Sequence, residues 1–223
     1  MRINPFIMCI AGHSVNPYGD LQEQFPNLLF ITLLRNPLMR YLSRFQYLID
    51  KMGKRFTFDE FLTYEEESNF QIKKIAGNES LDMAKAILKN SFLVGVVEEF
   101  DEFLVLLKKK LEPRIFDPRY EIKNITKDKR KRQNFLEMHK DYIVQRNQID
   151  IELYRYVKED LLPKAKNAYG LKLEKDINNF RRANRKGPVM TKRHIDYICR
   201  KLYYEPITGF IRCINGMKAK GSY

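Results

Sequence analysis

The fold class is indicated most clearly by the segment Asn27-Leu-Leu-Phe-Ile-Thr-Leu-Leu34, which leads directly into Arg35-Asn36-Pro37. Its continuous run of branched and aromatic residues is typical of a parallel strand that is covered on both faces. Asn36 suits the N-cap of a helix, and Pro37 suits its first position. Apolar residues then recur at helical spacing as far as Ile49. The stretch therefore predicts a strand, a tight turn and a helix.

Two further apolar runs, Pro5–Ile10 and Phe92–Val97, have the length of buried strands. Helical patterns lie between and after them, at residues 57–64, 69–76, 81–89, 100–111 and 133–169. Strands that alternate with helices predict an α/β fold, in which helices flank a parallel sheet. A long helical C-terminal half follows this sheet.

Size and composition limit the possible classes of protein. The chain has 223 residues and 26.7 kDa, which suits one domain or one domain with an appendage. Hydrophobic residues make up 44%, so a sizeable core can be buried. The sequence has no apolar run of the ~18 residues that cross a bilayer and no signal-peptide pattern, so we expect a cytoplasmic protein. Its three cysteines are widely spaced, which argues against a disulfide scaffold and a metal site.

The positive charge is concentrated near the C-terminus. Residues 181–223 hold 11 basic and two acidic residues, whereas residues 1–180 hold 30 and 26. We therefore predict a main domain at residues 1–178, a basic linker at 179–189 and a small basic tail at 190–223.

A phosphate site is predicted where the strand meets the helix. Free backbone N–H groups and the helix dipole favour an anion at a helix N-terminus, and Arg35 offers two parallel hydrogen bonds. Ser43 follows about two turns into the helix. On spacing alone the preferred interpretation is simpler: Arg35 pairs with a carboxylate, and Ser43 is an ordinary helix serine.

The segment Leu34–Phe45 resembles the "LRdPveRxxSxf" motif of sulfotransferases that use 3′-phosphoadenylyl sulfate. The resemblance is closest to Golgi-type glycan sulfotransferases, including the 2-O-sulfotransferases of heparan sulfate. Further segments resemble elements of this family in the same order: Ala11–His13, Asn69–Gly77, Phe92–Asp101, Asn124–Thr126 and Asn147–Tyr154.

The resemblance implies a P-loop-NTPase-like sulfotransferase fold and transfer of a sulfuryl group from 3′-phosphoadenylyl sulfate to a hydroxyl of a glycan or related acceptor. It implies that Arg35 and Ser43 hold the 3′-phosphate of this co-substrate and that His13 is the catalytic base. Glu98 is the second candidate for the base. The alternatives are a strand-end histidine at position 13, and an N-cap or ion pair for the next helix at position 98. A Golgi-type enzyme would lie in the Golgi lumen.

One element of the family pattern is missing from the sequence. The family has a phosphate loop with a lysine for the 5′-phosphosulfate, but no G-x-x-x-x-G-K-S/T or similar segment occurs in this chain. We therefore expect an N-terminally truncated domain, a partner that supplies the loop, or a catalytically inactive remnant that binds a nucleotide or a glycan.

Residues 190–223 resemble the N-terminal segment of phage homing endonucleases of the histidine-asparagine-histidine type, through Tyr203–Arg212 and Gly216–Ser222. The metal site of those enzymes is absent. The resemblance suggests a phage gene with a fused fragment, and the alternative is a basic surface hairpin or an unfolded extension. A basic tail of this kind predicts at most weak, non-specific binding of nucleic acid through residues 181–223.

Overall fold

The computed structural model of the protein describes residues 15–19, 21–25, 28–113, 117–121 and 129–185. Nearly all of these belong to one compact unit, Asn16–Gly187. The predicted strand at Pro5–Ile10 and the predicted tail at 190–223 lie outside the described residues. The described part is mostly helical and contains a small parallel sheet of two strands.

Up to the second strand, the elements are α1 (Leu21–Gln24), β1 (Phe30–Leu34), α2 (Pro37–Asp50), α3 (Phe58–Leu62), α4 (Phe70–Ala76), α5 (Leu81–Ser91) and β2 (Phe92–Val96). After it come α6 (Phe100–Leu111), α7 (Lys129–Arg146), α8 (Gln148–Tyr156), a π-helical turn (Val157–Leu161), α9 (Leu162–Tyr169) and α10 (Leu173–Asn184). Short 3-10 turns occur at Glu65–Glu67 and Val97–Glu99.

The sheet pairs β1 with β2 in parallel, with Phe30 opposite Phe92 and Leu34 opposite Val96. The helices α2 to α5 form the crossover between the two strands. Because the strands are parallel and in register, Arg35 and Val97 leave the sheet at the same edge. This arrangement confirms the prediction of parallel strands flanked by helices.

The two faces of the sheet are covered by different helices. Leu34 and Val96 pack with residues of α4, α5 and α8 on one face, and Leu33 and Leu93 pack against α6 and α10 on the other. Gly95 allows the close approach of α6, because a Cβ atom at this position would lie 2.3 Å from Cδ2 of Phe103. The continuous apolar character of both strands follows from this double burial.

The starts of α2 and α3 follow their local sequence signals. The side chain of Asn36 accepts hydrogen bonds from the N–H groups of Leu38 and Met39, and Pro37 is the first residue of α2. At α3, Thr57 and Glu60 form the reciprocal capping box that the sequence predicts. Both predicted helix starts are confirmed.

The helical C-terminal half is interrupted where the sequence predicts one long helix. Asn147 leaves the helical conformation, with φ −126° and ψ 29°, and separates α7 from α8. The π-helical turn then precedes Pro163, whose ring has no N–H and crowds the carbonyl of Glu159 four residues earlier. At the other end, α10 includes residues 179–184, where the sequence predicts the start of a linker, because Phe180 is buried against α6.

Candidate functional site

The two strands end at a polar junction that joins β1, β2 and α8. Glu98 follows β2, and its Oε1 accepts a hydrogen bond of 3.0 Å from the N–H of Asn36. Its Oε2 accepts one of 3.1 Å from the hydroxyl of Tyr154 on α8. The N-cap residue of α6 is Glu99, so the alternative that Glu98 caps this helix is wrong.

The backbone of Arg35 is held on both sides by one side chain. The N–H of Arg35 donates to Oε1 of Gln71 at 2.8 Å, and Nε2 of Gln71 donates to the carbonyl oxygen of Arg35 at 2.9 Å. Gln71 lies on α4, 36 residues further along the chain. This paired contact fixes the backbone of Arg35 immediately after the last residue of β1.

The guanidinium of Arg35 is half-buried at this edge of the sheet. Burial lowers the pKa of Arg35, and the negative charge of Glu98 opposes that shift. Within the described part of the chain, no carboxylate forms an ion pair with Arg35. Among the described residues, the carboxylate that acts on Arg35 is thus that of Glu98, through its charge rather than through a direct ion pair.

The two arginines of α2, unlike Arg35, form direct ion pairs with a carboxylate. Arg40 and Arg44 both contact the carboxylate of Glu67, at 2.9 and 2.7 Å, and the side chain of Glu67 is only 3% exposed. Arg40 also donates to the carbonyl oxygen of Glu67. These two cations are structural, because they neutralise a buried carboxylate.

Ser43 lies inside α2 and is half-buried. Seven residues separate it from Asn36, which is close to two helical turns and places both residues on the same side of the helix. Part of the predicted anion site differs from expectation, because Asn36 already occupies the N–H groups of Leu38 and Met39. An anion at this junction would be held by side chains rather than by those two groups.

A buried polar network supports the junction from below. The carboxylate of Asp150 is 1% exposed and accepts hydrogen bonds from the N–H groups of Gln71 (3.0 Å) and Ile72 (2.8 Å), which open α4. In return, Oδ1 of Asn69 accepts from the N–H groups of Ile149 and Asp150, both at 3.2 Å, which open α8. Each helix N-terminus is thus capped by a residue from the start of the other.

Asn69 adopts a left-handed backbone conformation, with φ 45° and ψ 40°. Its N–H donates to Oδ1 of the fully buried Asn147, whose Nδ2 donates to the carbonyl oxygen of Ile143. Burial raises the pKa of Asp150, and the two N–H donors and the charge of Arg40 oppose this shift. The network therefore combines a costly buried carboxyl group with good hydrogen-bond satisfaction.

Four of the sequence segments that carry the family resemblance meet at this junction: Leu34–Phe45, Asn69–Gly77, Phe92–Asp101 and Asn147–Tyr154. Sequence reasoning selected these segments but assigned no role to Gln71 or Asp150. The available signal was a set of amide and carboxyl side chains inside otherwise apolar helical patterns. His13, the predicted base, lies outside the described residues.

One histidine of the described residues packs among aromatic rings. His139 is half-buried on α7, and its ring centroid lies 4.6 Å from that of Phe58 and 4.7 Å from that of Phe135. His194 lies outside the described residues. The histidine that the structure describes is therefore part of the packing between α7 and α3.

The described residues contain neither a metal-binding cluster nor a membrane-spanning helix. In that part of the chain, no group of His, Cys, Asp and Glu side chains could hold a metal ion. The helices that the structure describes include none with the length and apolar character to cross a membrane.

No family model, curated protein or solved structure matches the chain.

Proposed function

We propose that this chain is a sulfotransferase-type domain that binds 3′-phosphoadenylyl sulfate at the carboxyl edge of the sheet. In this proposal Arg35 and Ser43 hold the 3′-phosphate, and the acceptor is a hydroxyl group of a glycan or a related molecule. The observation that supports it most is the half-buried guanidinium of Arg35, which forms no direct ion pair with a carboxylate among the described residues, while Gln71 holds the backbone of Arg35 through two hydrogen bonds.

An arginine in this setting is well suited to a phosphate. Its planar guanidinium can donate two parallel hydrogen bonds to phosphate oxygens, and charge-assisted bonds of this kind are stronger than neutral ones. In open α/β folds, ligands bind beyond the carboxyl ends of the strands, which is where Arg35 lies. An anion would also restore the charge balance of a cation that burial disfavours.

The acceptor hydroxyl needs a base that accepts its proton. When bound, the nucleotide supplies the sulfuryl group, whose sulfur bonds to the acceptor oxygen while its bond to the 5′-phosphate breaks. We assign the base to His13, because imidazole is suited to accept a proton near neutral pH. Each oxygen of Glu98 already accepts a hydrogen bond from its own chain, which suits Glu98 to joining the segments instead.

A second candidate function is nucleotide binding without transfer. It is favoured by one sequence observation, the absence of a G-x-x-x-x-G-K-S/T segment that would hold the 5′-phosphosulfate. Preorganised positive groups contribute much of the barrier reduction in such transfers. Nucleotide binding and sulfate transfer must therefore be measured separately.

The test of binding is calorimetric titration with adenosine 3′,5′-bisphosphate and, in parallel, with adenosine 5′-monophosphate. Loss of the 3′-phosphate should cost ~1.5–3 kcal/mol, roughly tenfold to a hundredfold in affinity. Equal affinity for the two nucleotides, or no binding of either, would contradict the proposal.

The test of transfer follows labelled sulfate from 3′-phosphoadenylyl sulfate to a panel of polysaccharides. Transfer that depends on His13 supports the enzyme. Selective binding of the bisphosphate without transfer supports the binding-only alternative.

A further inference from the structure

Gln71 is the side chain through which the buried network reaches the candidate phosphate site. It is 8% exposed, and its own N–H donates to the carboxylate of Asp150. Its amide group pairs with the N–H and the carbonyl oxygen of Arg35. One residue therefore connects the capped N-terminus of α4 to the end of β1.

The backbone of Arg35 obtains from Gln71 the hydrogen bonds that a helix or a strand would otherwise provide. Arg35 lies between β1 and α2 and belongs to neither. A residue in such a position would be free to change its φ and ψ angles, and the direction of its side chain would change with them. The amide of Gln71 binds both polar groups of this residue, and Glu98 binds the next N–H of the chain.

The network below makes Gln71 a rigid support. Two N–H groups in the first turn of α4 donate hydrogen bonds to the carboxylate of Asp150. Asp150 lies on α8, and its own N–H donates to the side chain of Asn69. Because α4 and α8 are fixed to each other in this way, the side chain of Gln71 loses little further conformational freedom when it binds Arg35. The orientation of Arg35 thus depends on packing far from the guanidinium itself.

We propose that Gln71 is a positioning residue, which directs the guanidinium of Arg35 towards the 3′-phosphate of the nucleotide. This inference rests on the proposed function of the same site. If Gln71 had a merely structural role, its replacement would lower the affinity of the domain for every ligand equally. If Gln71 positions Arg35, its replacement lowers only the affinity for ligands that carry the 3′-phosphate.

The experiment compares Gln71→Met, which keeps the length of the side chain and removes both hydrogen bonds, with Gln145→Met, a matched change at an exposed position of α7. Gln71→Met should lower the affinity for adenosine 3′,5′-bisphosphate about tenfold, since residues in direct contact couple by this order. Its affinity for adenosine 5′-monophosphate should stay within about twofold of the wild type, as should both affinities of Gln145→Met.

The double variant with Arg35→Ala isolates the coupling. In the Arg35→Ala background, Gln71→Met should cause no further loss of bisphosphate affinity, because the group that it positions is gone. An equal loss for both nucleotides, or additive losses in the double variant, would overturn the positioning role while leaving the proposed function intact.

Amide hydrogen exchange tests the contact without any nucleotide. The N–H of Arg35 should be protected in the wild type and should exchange at least about tenfold faster in Gln71→Met, whereas the N–H of Ala84 in α5 should be unchanged. An unprotected Arg35 N–H in the wild type would overturn the inference even if Gln71→Met failed to fold. Protection at Arg35 in a protein that binds neither nucleotide would instead refute the proposed function, and with it the role of Gln71 towards the 3′-phosphate, while the contact between Gln71 and Arg35 would stand.

Discussion

Asn69, at the start of α4, caps α8, and Asp150, in the first turn of α8, caps α4, although 81 residues separate the two in the sequence. Oδ1 of Asn69 accepts a hydrogen bond of 3.2 Å from the N–H of Asp150, and the carboxylate of Asp150 accepts hydrogen bonds from the N–H groups of Gln71 and Ile72. The exchange fixes α4 against α8. Through Gln71 and Tyr154, the same two helices hold the edge of the sheet.

The first prediction concerns the left-handed backbone of Asn69. Asn69→Gly removes the cap of α8 but tolerates φ 45°, and should lower the free energy of unfolding by ~1–2 kcal/mol. Asn69→Ala removes the same cap and adds backbone strain, so it should cost ~1 kcal/mol more. Urea unfolding measures both, with the exposed Asn178→Ala as control. Equal losses for the two variants would show that the backbone conformation is not strained.

The second prediction concerns the charge of Asp150. Burial raises its pKa above the ordinary value of 3.8, so the folded state binds a proton more readily than the unfolded state does. The contribution of Asp150 to stability is then largest below pH ~4 and falls as the pH rises through the raised pKa.

Urea unfolding of the wild type and Asp150→Asn between pH ~4 and ~7 measures this contribution. The variant has no ionisable group here, so the stability difference between wild type and variant should shrink as the pH rises. A difference that grows with pH would mean that the N–H donors outweigh burial and that the pKa of Asp150 is lowered instead.

Local signals explain what could be predicted from the sequence. Asn36 and Pro37 act on the residues next to them, so the start of α2 is readable from the sequence, as is the capping box of Thr57 and Glu60. The break at Asn147 was not readable, because the apolar spacing continues across it and its partner Asn69 is distant in sequence.

The same limit applies to the candidate site. Arg35 could be selected because it ends an apolar run before a helix start. The role of Gln71 requires a contact across 36 residues, and the environment of His139 depends on Phe58 in another helix. Contacts between residues that are distant in sequence leave no recognisable pattern in either of the two segments.

The third prediction concerns the packing of Gly95 under α6. A methyl group at position 95 would overlap the ring of Phe103, which is buried, so Gly95→Ala should destabilise the protein by ~1–3 kcal/mol. In a Phe103→Ala background the same change should cost less, because the Cγ and Cδ2 atoms that a Cβ at position 95 would meet are gone. Gly19→Ala is the control, since a Cβ atom there meets only an ordinary contact of 3.7 Å. Equal costs in both backgrounds, measured by urea unfolding, would contradict this account of the packing.

The fourth prediction concerns Ser43 as a partner of Arg35. If both residues bind one phosphate, Ser43→Ala should weaken binding of adenosine 3′,5′-bisphosphate by ~0.5–1.5 kcal/mol and leave adenosine 5′-monophosphate unaffected. Calorimetric titration with the two nucleotides measures the difference. Unchanged bisphosphate affinity would contradict the role of Ser43, leave Arg35 alone as the proposed partner of the 3′-phosphate, and make Ser43 an ordinary helix serine.

The most direct test of the central claim is the binding of adenosine 3′,5′-bisphosphate to Arg35→Ala, measured by calorimetric titration. Arg155→Ala is the control, since it removes the same charge from an exposed position of α8. We predict a loss of ~1.5–3 kcal/mol in Arg35→Ala, roughly tenfold to a hundredfold in affinity, and unchanged binding in Arg155→Ala. Wild-type affinity in Arg35→Ala, or an equal loss in both variants, would contradict the assignment of the phosphate site.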